Sequence, residues 1–373
     1  MVLYLFITAV VLFMGWYVNT SLCKKNMGRP STVTLSRQEY LNRVLVCAIF
    51  MIMFALSALR IGIGNDYWEY RNGFLAIAGG KTKVSYEIGF RYTVLLMQKL
   101  FGLDNYRTTF ALFSFLTCLF FIKGLYDNSD WFFYSLFVFF TNGFYFMSFS
   151  NVRYYFVFAI MLYAIKYVFN KRYWAFALWV CFAALFHKTA LIVIPAYIIA
   201  YYLRWNKKTL WMIPTAVAAL FFGEKPIRWL LFKFYPFYEG DAILDTGSVS
   251  YMNMAKCGAV LVLCLIFFKY IKSNRKAYML FNLNLFALVL YCFGTYIPEL
   301  SRICYYMVLG HVFLIPMVLM NIEDRKKRII WTALVSTAYV GYYLVFLVRG
   351  YRDYIMFLPY LTWLFTKSGR RRN

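Results

Sequence analysis

Three arginines stand alone at the borders of apolar segments, away from the basic clusters of the chain: Arg60, Arg153 and Arg302. A guanidinium group stays charged and can make two parallel hydrogen bonds to a phosphate or a carboxylate. An arginine at a helix end can also be a simple interface anchor, but ionisable groups near membrane depth are functional candidates by default. We therefore expect at least two of these arginines to bind one anion.

Four other residues could accept a proton from a hydroxyl group: Asp66, Glu69, Glu87 and His187. A positioned base of this kind accelerates a reaction by about 10²–10⁴-fold. Two alternatives stay open, because Asp66 follows a glycine-containing turn and can cap the next helix, and His187 can be a hydrogen-bonded helix end. Glu87 and Asp66 are the first candidates for the base.

The same segments hold further side chains that could contact a substrate: Tyr67, Tyr70, Asn151 and Lys188. Aromatic rings stack on sugars, although Tyr and Trp also form belts at the membrane interface. The chain has 8 cysteines and 2 histidines, all scattered, so the spacing predicts neither a metal site nor a disulfide framework. Nucleotide-binding and hydrolase motifs are missing from the sequence, so we expect a substrate that arrives already activated and no cofactor.

The elements that position these residues are membrane helices. The chain is 63% hydrophobic and 15% charged, which excludes a soluble domain. Fourteen apolar blocks are long enough to consider, but the block at 88–103 contains Arg91, Gln98 and Lys99 and is too polar to cross lipid. We expect an all-α polytopic membrane protein with about 13 transmembrane helices plus one outer-face interfacial or re-entrant helix. The short block at 354–366 could instead be interfacial.

The basic clusters set the orientation, because cytoplasmic loops carry the excess of Lys and Arg. This rule places the N-terminus outside and the C-terminus inside, within a single integral-membrane domain over 1–373. Two loops then become extracytoplasmic, residues 60–107 with the interfacial helix and residues 223–256, and all the candidate residues fall on that face. Most of the net charge of +25 is explained by this bias, so we expect a lipid bilayer and no nucleic acid as partner.

Five segments taken in order resemble the EpsG family of exopolysaccharide polymerases, which are Wzy-like. The segments are Ser57–Tyr70, Tyr86–Phe90, Asn151–Arg153, Leu185–Leu191 and Ser301–Tyr306. The family often has Gln after the arginine of the middle motif, where this chain has Tyr154. Any role that this glutamine has in the family is therefore not carried over to this chain.

The resemblance implies a membrane glycosyltransferase with a GT-C-like architecture in the inner membrane of a bacterium. It would join undecaprenyl-diphosphate-linked repeat units into capsule, exopolysaccharide or O-antigen, release undecaprenyl diphosphate, and work beside a flippase and a chain-length regulator. Arg153 and Arg302, with Arg60, would then bind the departing diphosphate, and Glu87 or Asp66 would serve as a base if one is needed. The other candidates would bind substrate: Tyr67, Glu69, Tyr70, Asn151, His187 and Lys188.

Three other functions stay open. A ligase would share the chemistry and differ in the acceptor. A transporter of the lipid-linked repeat would share the basic cavity, but it should also have charged residues deep within its spans. A membrane acyltransferase would need a catalytic histidine, which His187 alone does not exclude. The sequence predicts neither the sugars, their linkage and stereochemistry, nor the oligomeric state.

Overall fold

The computed structural model describes residues 1–18, 37–80, 86–103, 105–207, 209–234, 249–294, 296, 300–352 and 358–364. In these ranges the regular structure is helical, as the apolar composition predicts. The chain divides into two compact units, unit 1 with Met1–Leu191 and Ile322–Asn373, and unit 2 with Ile192–Asn321. The single membrane domain expected from the sequence stays a prediction.

Most of unit 1 consists of nine helices. They are α1 (Val2–Trp16), α2 (Arg37–Ala58), α3 (Tyr67–Ala78), α4 (Ile88–Phe101), α5 (Tyr106–Asn128), α6 (Phe132–Thr141), α7 (Phe144–Met147), α8 (Val152–Phe169) and α9 (Tyr173–Ala184). Helix α8 packs along α5 and α9, and α2 packs on the opposite part of α5. Almost all side chains of α8 are buried, so this helix forms the core of the unit.

Unit 2 follows the short 3₁₀ turn Lys188–Ile192. Its helices are α10 (Val193–Tyr202), α11 (Met212–Phe222), α12 (Glu224–Phe234), α13 (Tyr251–Ile266), α14 (Phe268–Ser273), α15 (Arg275–Cys292), α16 (Leu300–Val308) and α17 (His311–Met320). Helix α15 is central and contacts α10, α13 and α16. The last helix, α18 (Arg325–Arg352), belongs to unit 1 and packs on α6.

Five helical stretches among the described residues are long and apolar enough to cross a membrane. They are Arg37–Ala58, Tyr106–Asn128, Val152–Phe169, Leu300–Met320 and Arg325–Gly350. Five shorter apolar helices accompany them. These findings agree with a polytopic membrane protein, whereas the predicted count of thirteen spans is not confirmed.

The polar block at 88–103 forms α4, a helix of 14 residues that is not among the candidate spans. Its buried side is made by Phe90, Val94, Met97 and Gln98, while Tyr92 and Leu96 are exposed. Gln98 uses its amide to donate a hydrogen bond to the carbonyl of Phe74 at 2.6 Å. One of the polar residues of this block, Gln98, therefore helps to dock α4 onto α3.

The interpretation of block 354–366 as the last span is wrong for the residues that the structure describes. Residues 358–364 are not helical, and Thr362 forms an antiparallel bridge with Arg60. The backbone amide of Ile61 donates to the carbonyl of Leu361 at 3.0 Å. The described part of the block, residues 358–364, therefore lies against the end of α2 and is not a membrane-crossing helix.

The second predicted loop, residues 223–256, is partly helical. Its first part forms α12, in which Arg228 pairs with Glu224 at 3.1 Å, and its last part begins α13. The acidic residues Glu239, Asp241 and Asp245 lie outside the described residues. The basic clusters at 24–29 and 370–372 lie outside them as well.

The loop that follows α2 passes directly against the start of α8. Gly64 has a φ of +96°, which L-residues rarely adopt, and a Cβ there would collide with the carbonyl oxygen of Phe149. Only glycine gives the backbone both this conformation and this close approach. The loop of Arg60 and the N-terminus of α8 are thereby held side by side.

Candidate functional site

The N-terminus of α8 is held in place by a hydrogen-bond network. The side-chain oxygen of Asn151 caps the helix by accepting from the backbone amide of Tyr154 at 3.1 Å. It also accepts from the hydroxyl of Tyr70, which belongs to α3, at 3.0 Å. Because the hydroxyl hydrogen of Tyr70 is used in this bond, its oxygen is left to accept from Nε of Arg153 at 3.3 Å.

Arg153 forms an ion pair with Glu87 at the start of α4. Nη1 of Arg153 lies 2.5 Å from Oε2 of Glu87, and both side chains are largely buried. The guanidinium group also stacks over the ring of Tyr86 at 4.6 Å. Two of its three nitrogens therefore have protein acceptors, while Nη2 has none among the described residues.

The second oxygen of Glu87 binds His187. Oε1 lies 3.2 Å from Nδ1 of the imidazole. A carboxylate only accepts hydrogen bonds, so this contact assigns the hydrogen of neutral His187 to Nδ1 and leaves a lone pair on Nε2. Nε2 is buried and has no hydrogen-bond partner among the described residues.

The surroundings of Glu87 keep its side chain ionised. Burial by itself would raise the pKa of Glu87, but the hydrogen bond from His187 and the positive charge of Arg153 outweigh it and lower the pKa to about 2. A carboxylate with so low a pKa is a poor proton acceptor at neutral pH. Glu87 is therefore better suited to orient its two partners than to take up a proton itself.

Close backbone packing positions Glu87 opposite His187. The amide of Gly89 donates to the carbonyl of Leu185 at 2.9 Å, and a Cβ on Gly89 would lie 2.9 Å from that same oxygen. An aromatic cluster fills the space beneath, with Phe90 against Phe113 and Phe186 against Phe156. The start of α4 and the end of α9 are thereby fixed to each other.

Arg60 lies in a separate pocket. Its side chain is 4% exposed, donates to the backbone carbonyl and hydroxyl of Ser57 and to the hydroxyl of Ser114, and stacks on Phe149 at 5.0 Å. Its Nε atom is buried without a partner among the described residues. Arg60 therefore anchors its own loop and does not contact the Arg153 network.

The other predicted residues take different positions. Asp66 is at the N-cap of α3 without a side-chain cap bond, and Glu69 is exposed on the same helix. Tyr67 is buried and stacks on Phe110 at 4.7 Å. Lys188 is exposed next to His187.

Arg302 lies in unit 2, as the third residue of α16, and is half-buried. The structure thus joins Glu87, Arg153 and His187 in unit 1, while Arg302 belongs to the other unit. Its neighbour in sequence, Glu299, lies outside the described residues.

Sequence reasoning missed a buried polar cluster in unit 2. Lys256 of α13 is 9% exposed, and His311, interpreted from sequence as packing, is fully buried. Nε2 of His311 lies 2.7 Å from the side-chain oxygen of Asn284, whose amide donates to the carbonyl of Cys257 at 3.1 Å. The hydropathy of these segments hides the cluster, because its polar residues are few within otherwise apolar helices.

The chemistry available at the Arg153 network is anion binding beside a basic nitrogen. Arg153 supplies positive charge and free N–H groups, and the neutral form of His187 supplies a ring nitrogen with a lone pair. Among the described residues no group of histidine, cysteine and carboxylate side chains could hold a metal ion. The geometry therefore fits transfer of a group from an anionic leaving group to a hydroxyl.

Comparison with known proteins gives one match. The model of the EpsG family matches residues 43–362, which is most of the chain. The matched range includes every residue of the Arg153 network. No curated protein and no solved structure matches the chain.

Proposed function

The chain belongs to the EpsG family of Wzy-like polysaccharide polymerases, and on that premise we propose that it polymerises lipid-linked repeat units. The donor is a glycan on undecaprenyl diphosphate and the acceptor is a hydroxyl of the next lipid-linked repeat, on the extracytoplasmic face of a bacterial inner membrane. The acceptor oxygen bonds to C1 of the donor sugar as the bond from C1 to the diphosphate breaks. Undecaprenyl diphosphate leaves with the bonding electrons.

The observation that carries this proposal is the arrangement of Arg153, Glu87 and His187. In the transition state negative charge grows on the departing diphosphate, and preorganised cations there lower the barrier. Arg153 is preorganised because Glu87 and Tyr70 hold two of its nitrogens. The free Nη2 group is then available for a phosphate oxygen.

In this mechanism His187 is the proton acceptor, which changes the roles expected from the sequence. Its Nε2 takes the proton of the acceptor hydroxyl, while Glu87 holds Nδ1–H and fixes the orientation of the ring. The imidazolium ion that forms is stabilised by the adjacent carboxylate. Asp66, at the start of α3, stays the alternative base.

The two remaining arginines receive different roles. Arg60 is nearly inaccessible and bound to two serines, so we assign it to positioning of the loop that precedes α3. For Arg302, in α16 of unit 2, diphosphate binding stays the expectation from the sequence. The remaining polar residues, Tyr67, Glu69, Asn151 and Lys188, stay proposed substrate contacts or supports of such contacts.

The test is a gel of lipid-linked and surface glycan from cells that lack the native gene. The cells are complemented with the wild type, Arg153→Ala, Arg302→Ala or the exposed control Arg172→Ala, and the membrane level of each protein is measured by immunoblot. We expect a ladder for the wild type and the control. Both test variants should collapse the ladder to a single repeat.

Other outcomes would assign another function. Long glycans that persist on the lipid carrier in the variants but never reach a final acceptor would identify a ligase. Repeat units trapped on the cytoplasmic side would identify a transporter. A normal ladder in Arg153→Ala would refute the proposed site.

A further inference from the structure

A row of alternating aromatic and arginine side chains extends over unit 1 beside the Arg153 network. It consists of Trp68, Arg71, Tyr106, Arg107 and Trp363. The guanidinium group of Arg71 stacks over Trp68 at 5.5 Å and Tyr106 at 5.2 Å. That of Arg107 lies over Tyr106 at 6.0 Å and Trp363 at 5.6 Å. We call these five residues the aromatic–arginine row.

Three separate parts of the chain build the row. Trp68 and Arg71 lie on α3, Tyr106 and Arg107 begin α5, and Trp363 comes from the segment that pairs with the Arg60 loop. The amide of Trp363 donates to the carbonyl of Leu59 at 3.2 Å, which fixes this end of the row. At the other end the ring of Trp68 packs on Gly62.

The stacked arginines keep their hydrogen-bonding edges free. A cation–π contact uses none of the N–H hydrogen bonds of a guanidinium group, so these donors remain available for another acceptor. Neither Arg71 nor Arg107 has a hydrogen bond or an ion pair with another described residue, and Nε of Arg71 is buried without a partner. The row therefore presents two guanidinium edges that still need acceptors.

The two ends of the row lie at the protein surface. Trp68 is 45% exposed and Trp363 is 36% exposed. Exposed indole rings stack on sugar rings, and guanidinium edges bind planar carboxylates with two parallel bonds. A glycan with acidic residues satisfies both features at once.

The row borders the Arg60 pocket, and it shares α3 with the candidate site. Tyr67 lies edge-on to Trp68 at 5.2 Å and stacks on Phe110, which in turn contacts the guanidinium of Arg60 at 5.6 Å. Tyr70, one position before Arg71, binds Arg153. A chain held on the row would thus lie against α3, the helix that also supplies Tyr70 to the proposed transfer site.

We propose that the aromatic–arginine row is a binding surface for an acidic glycan, the growing product whose sugars carry carboxylate groups. This inference rests on the proposed polymerase function and adds the chemical class of its product. The indoles bind neutral and acidic sugar rings alike, and the two arginines select sugars that carry a carboxylate group. The row retains the product near Arg153 between successive additions.

The test is equilibrium binding to the purified full-length protein in phosphatidylcholine nanodiscs, without any lipid-linked donor. The probes are hexagalacturonate, which is acidic, and maltohexaose, which is neutral. We expect hexagalacturonate to bind at least about 10-fold more tightly than maltohexaose, a difference of ~1.4 kcal/mol. The double variant Arg71→Gln, Arg107→Gln should abolish that preference. The variant Trp363→Leu should weaken the binding of both probes.

Matched controls use exposed residues of the same types elsewhere in unit 1. Arg172→Gln and Trp174→Leu, the latter at an indole that is 87% exposed, should leave both affinities unchanged. Equal binding of the two probes by the wild type would overturn the inference. So would an unchanged preference in the folded double variant.

A lipid headgroup is the competing occupant, and one arm of the experiment identifies it. The same proteins are placed in nanodiscs that contain phosphatidylglycerol, and retained lipid is counted by mass spectrometry. If the arginine substitutions reduce bound phosphatidylglycerol but not hexagalacturonate, the row is a lipid contact and the inference fails. Because this assay needs no glycosyl transfer, it stays readable even if Arg153→Ala cells make normal chains and the polymerase proposal falls.

Discussion

Arg153 and Glu87 are 66 residues apart in the chain and form an ion pair at 2.5 Å. The pair joins the first turn of α8, the core helix of unit 1, to the start of α4. Because Glu87 also binds His187, one carboxylate fixes both the proposed diphosphate ligand and the proposed base. This shared dependence is the basis of the predictions below.

Replacing Arg153 by lysine should be almost as harmful as replacing it by alanine. A lysine ammonium group can pair with Glu87 but cannot also bind Tyr70 and present a third nitrogen, as the guanidinium group does. We expect both variants to lose about 10²–10³-fold in the rate of repeat addition, measured on membranes with lipid-linked donor. The control is Arg172→Lys, which should keep the wild-type rate. Near-normal rates for Arg153→Lys would exclude a role that depends on the several nitrogens of the guanidinium group.

His187→Asn should remove the base while keeping its bond to Glu87. The asparagine amide can still donate to Oε1 of Glu87 but has no basic nitrogen in place of Nε2. We expect a loss of about 10²–10⁴-fold in transfer rate with little change in membrane level. Activity close to wild type would mean that Asp66 is the base or that the reaction needs no base.

Glu87→Gln should act partly through His187. We expect the loss in the Glu87→Gln, His187→Asn double variant to be smaller than the product of the two single losses, because one role of Glu87 is to orient the imidazole. Transfer rates of the wild type, the two single variants and the double variant, measured in parallel, give the coupling between Glu87 and His187. Independent, multiplying losses would show that Glu87 serves Arg153 alone.

The pH dependence of stability should report the ion pair. The pKa of Glu87 is lowered from its ordinary value of 4.5 to about 2, so the unfolded chain binds the proton first as the pH falls. The stabilisation by this carboxylate is thus fully present above pH 4.5 and lost as the pH drops toward 2. The difference in melting temperature between wild type and Glu87→Gln should be constant from pH 8 to 5 and shrink below 4.5. The exposed Glu323→Gln variant is the control, and a difference that persists to pH 3 would contradict the assignment.

Two glycines with nearly the same φ offer a comparison that tests the loop beside α8. Gly64 has a φ of +96° and Gly102 one of +97°, but a Cβ would collide with Phe149 only at Gly64. Gly102→Ala should cost the conformational strain alone, about 1 kcal/mol. Gly64→Ala should lower the melting temperature clearly more than Gly102→Ala does, and it should also reduce transfer activity. Equal effects would mean that the loop can move away from α8.

The sequence was sufficient to predict a helical membrane protein and to group Glu87, Arg153 and His187 on one side. Their grouping followed from counting apolar segments and from the isolated charges at segment ends, which are local properties. The ion pair itself could not be predicted, because its distances depend on how α4, α8 and α9 pack. For the same reason Glu87 was expected to be a base, although its partners make it a poor one.

Other features of the fold were equally outside the reach of the sequence pattern. Residues 354–366 are apolar enough to suggest a span, but their described part pairs with Ile61 through backbone hydrogen bonds that no hydropathy pattern encodes. Arg60 resembled Arg153 as an isolated arginine, whereas tertiary packing buries it against Ser57 and Ser114. Isolated charges identify candidates, and burial separates the structural ones from the accessible ones.

The bridge between Arg60 and Thr362 joins residues about 300 positions apart. During translation the backbone partner of the Arg60 loop is made about 300 residues after the loop itself. The helices that carry Arg153 and His187 are therefore inserted before this loop reaches its final conformation. Closing so long a stretch of chain is entropically costly and comes last. The Arg60 loop therefore lacks its backbone partner while the intervening residues, which include Arg153 and His187, are being synthesised.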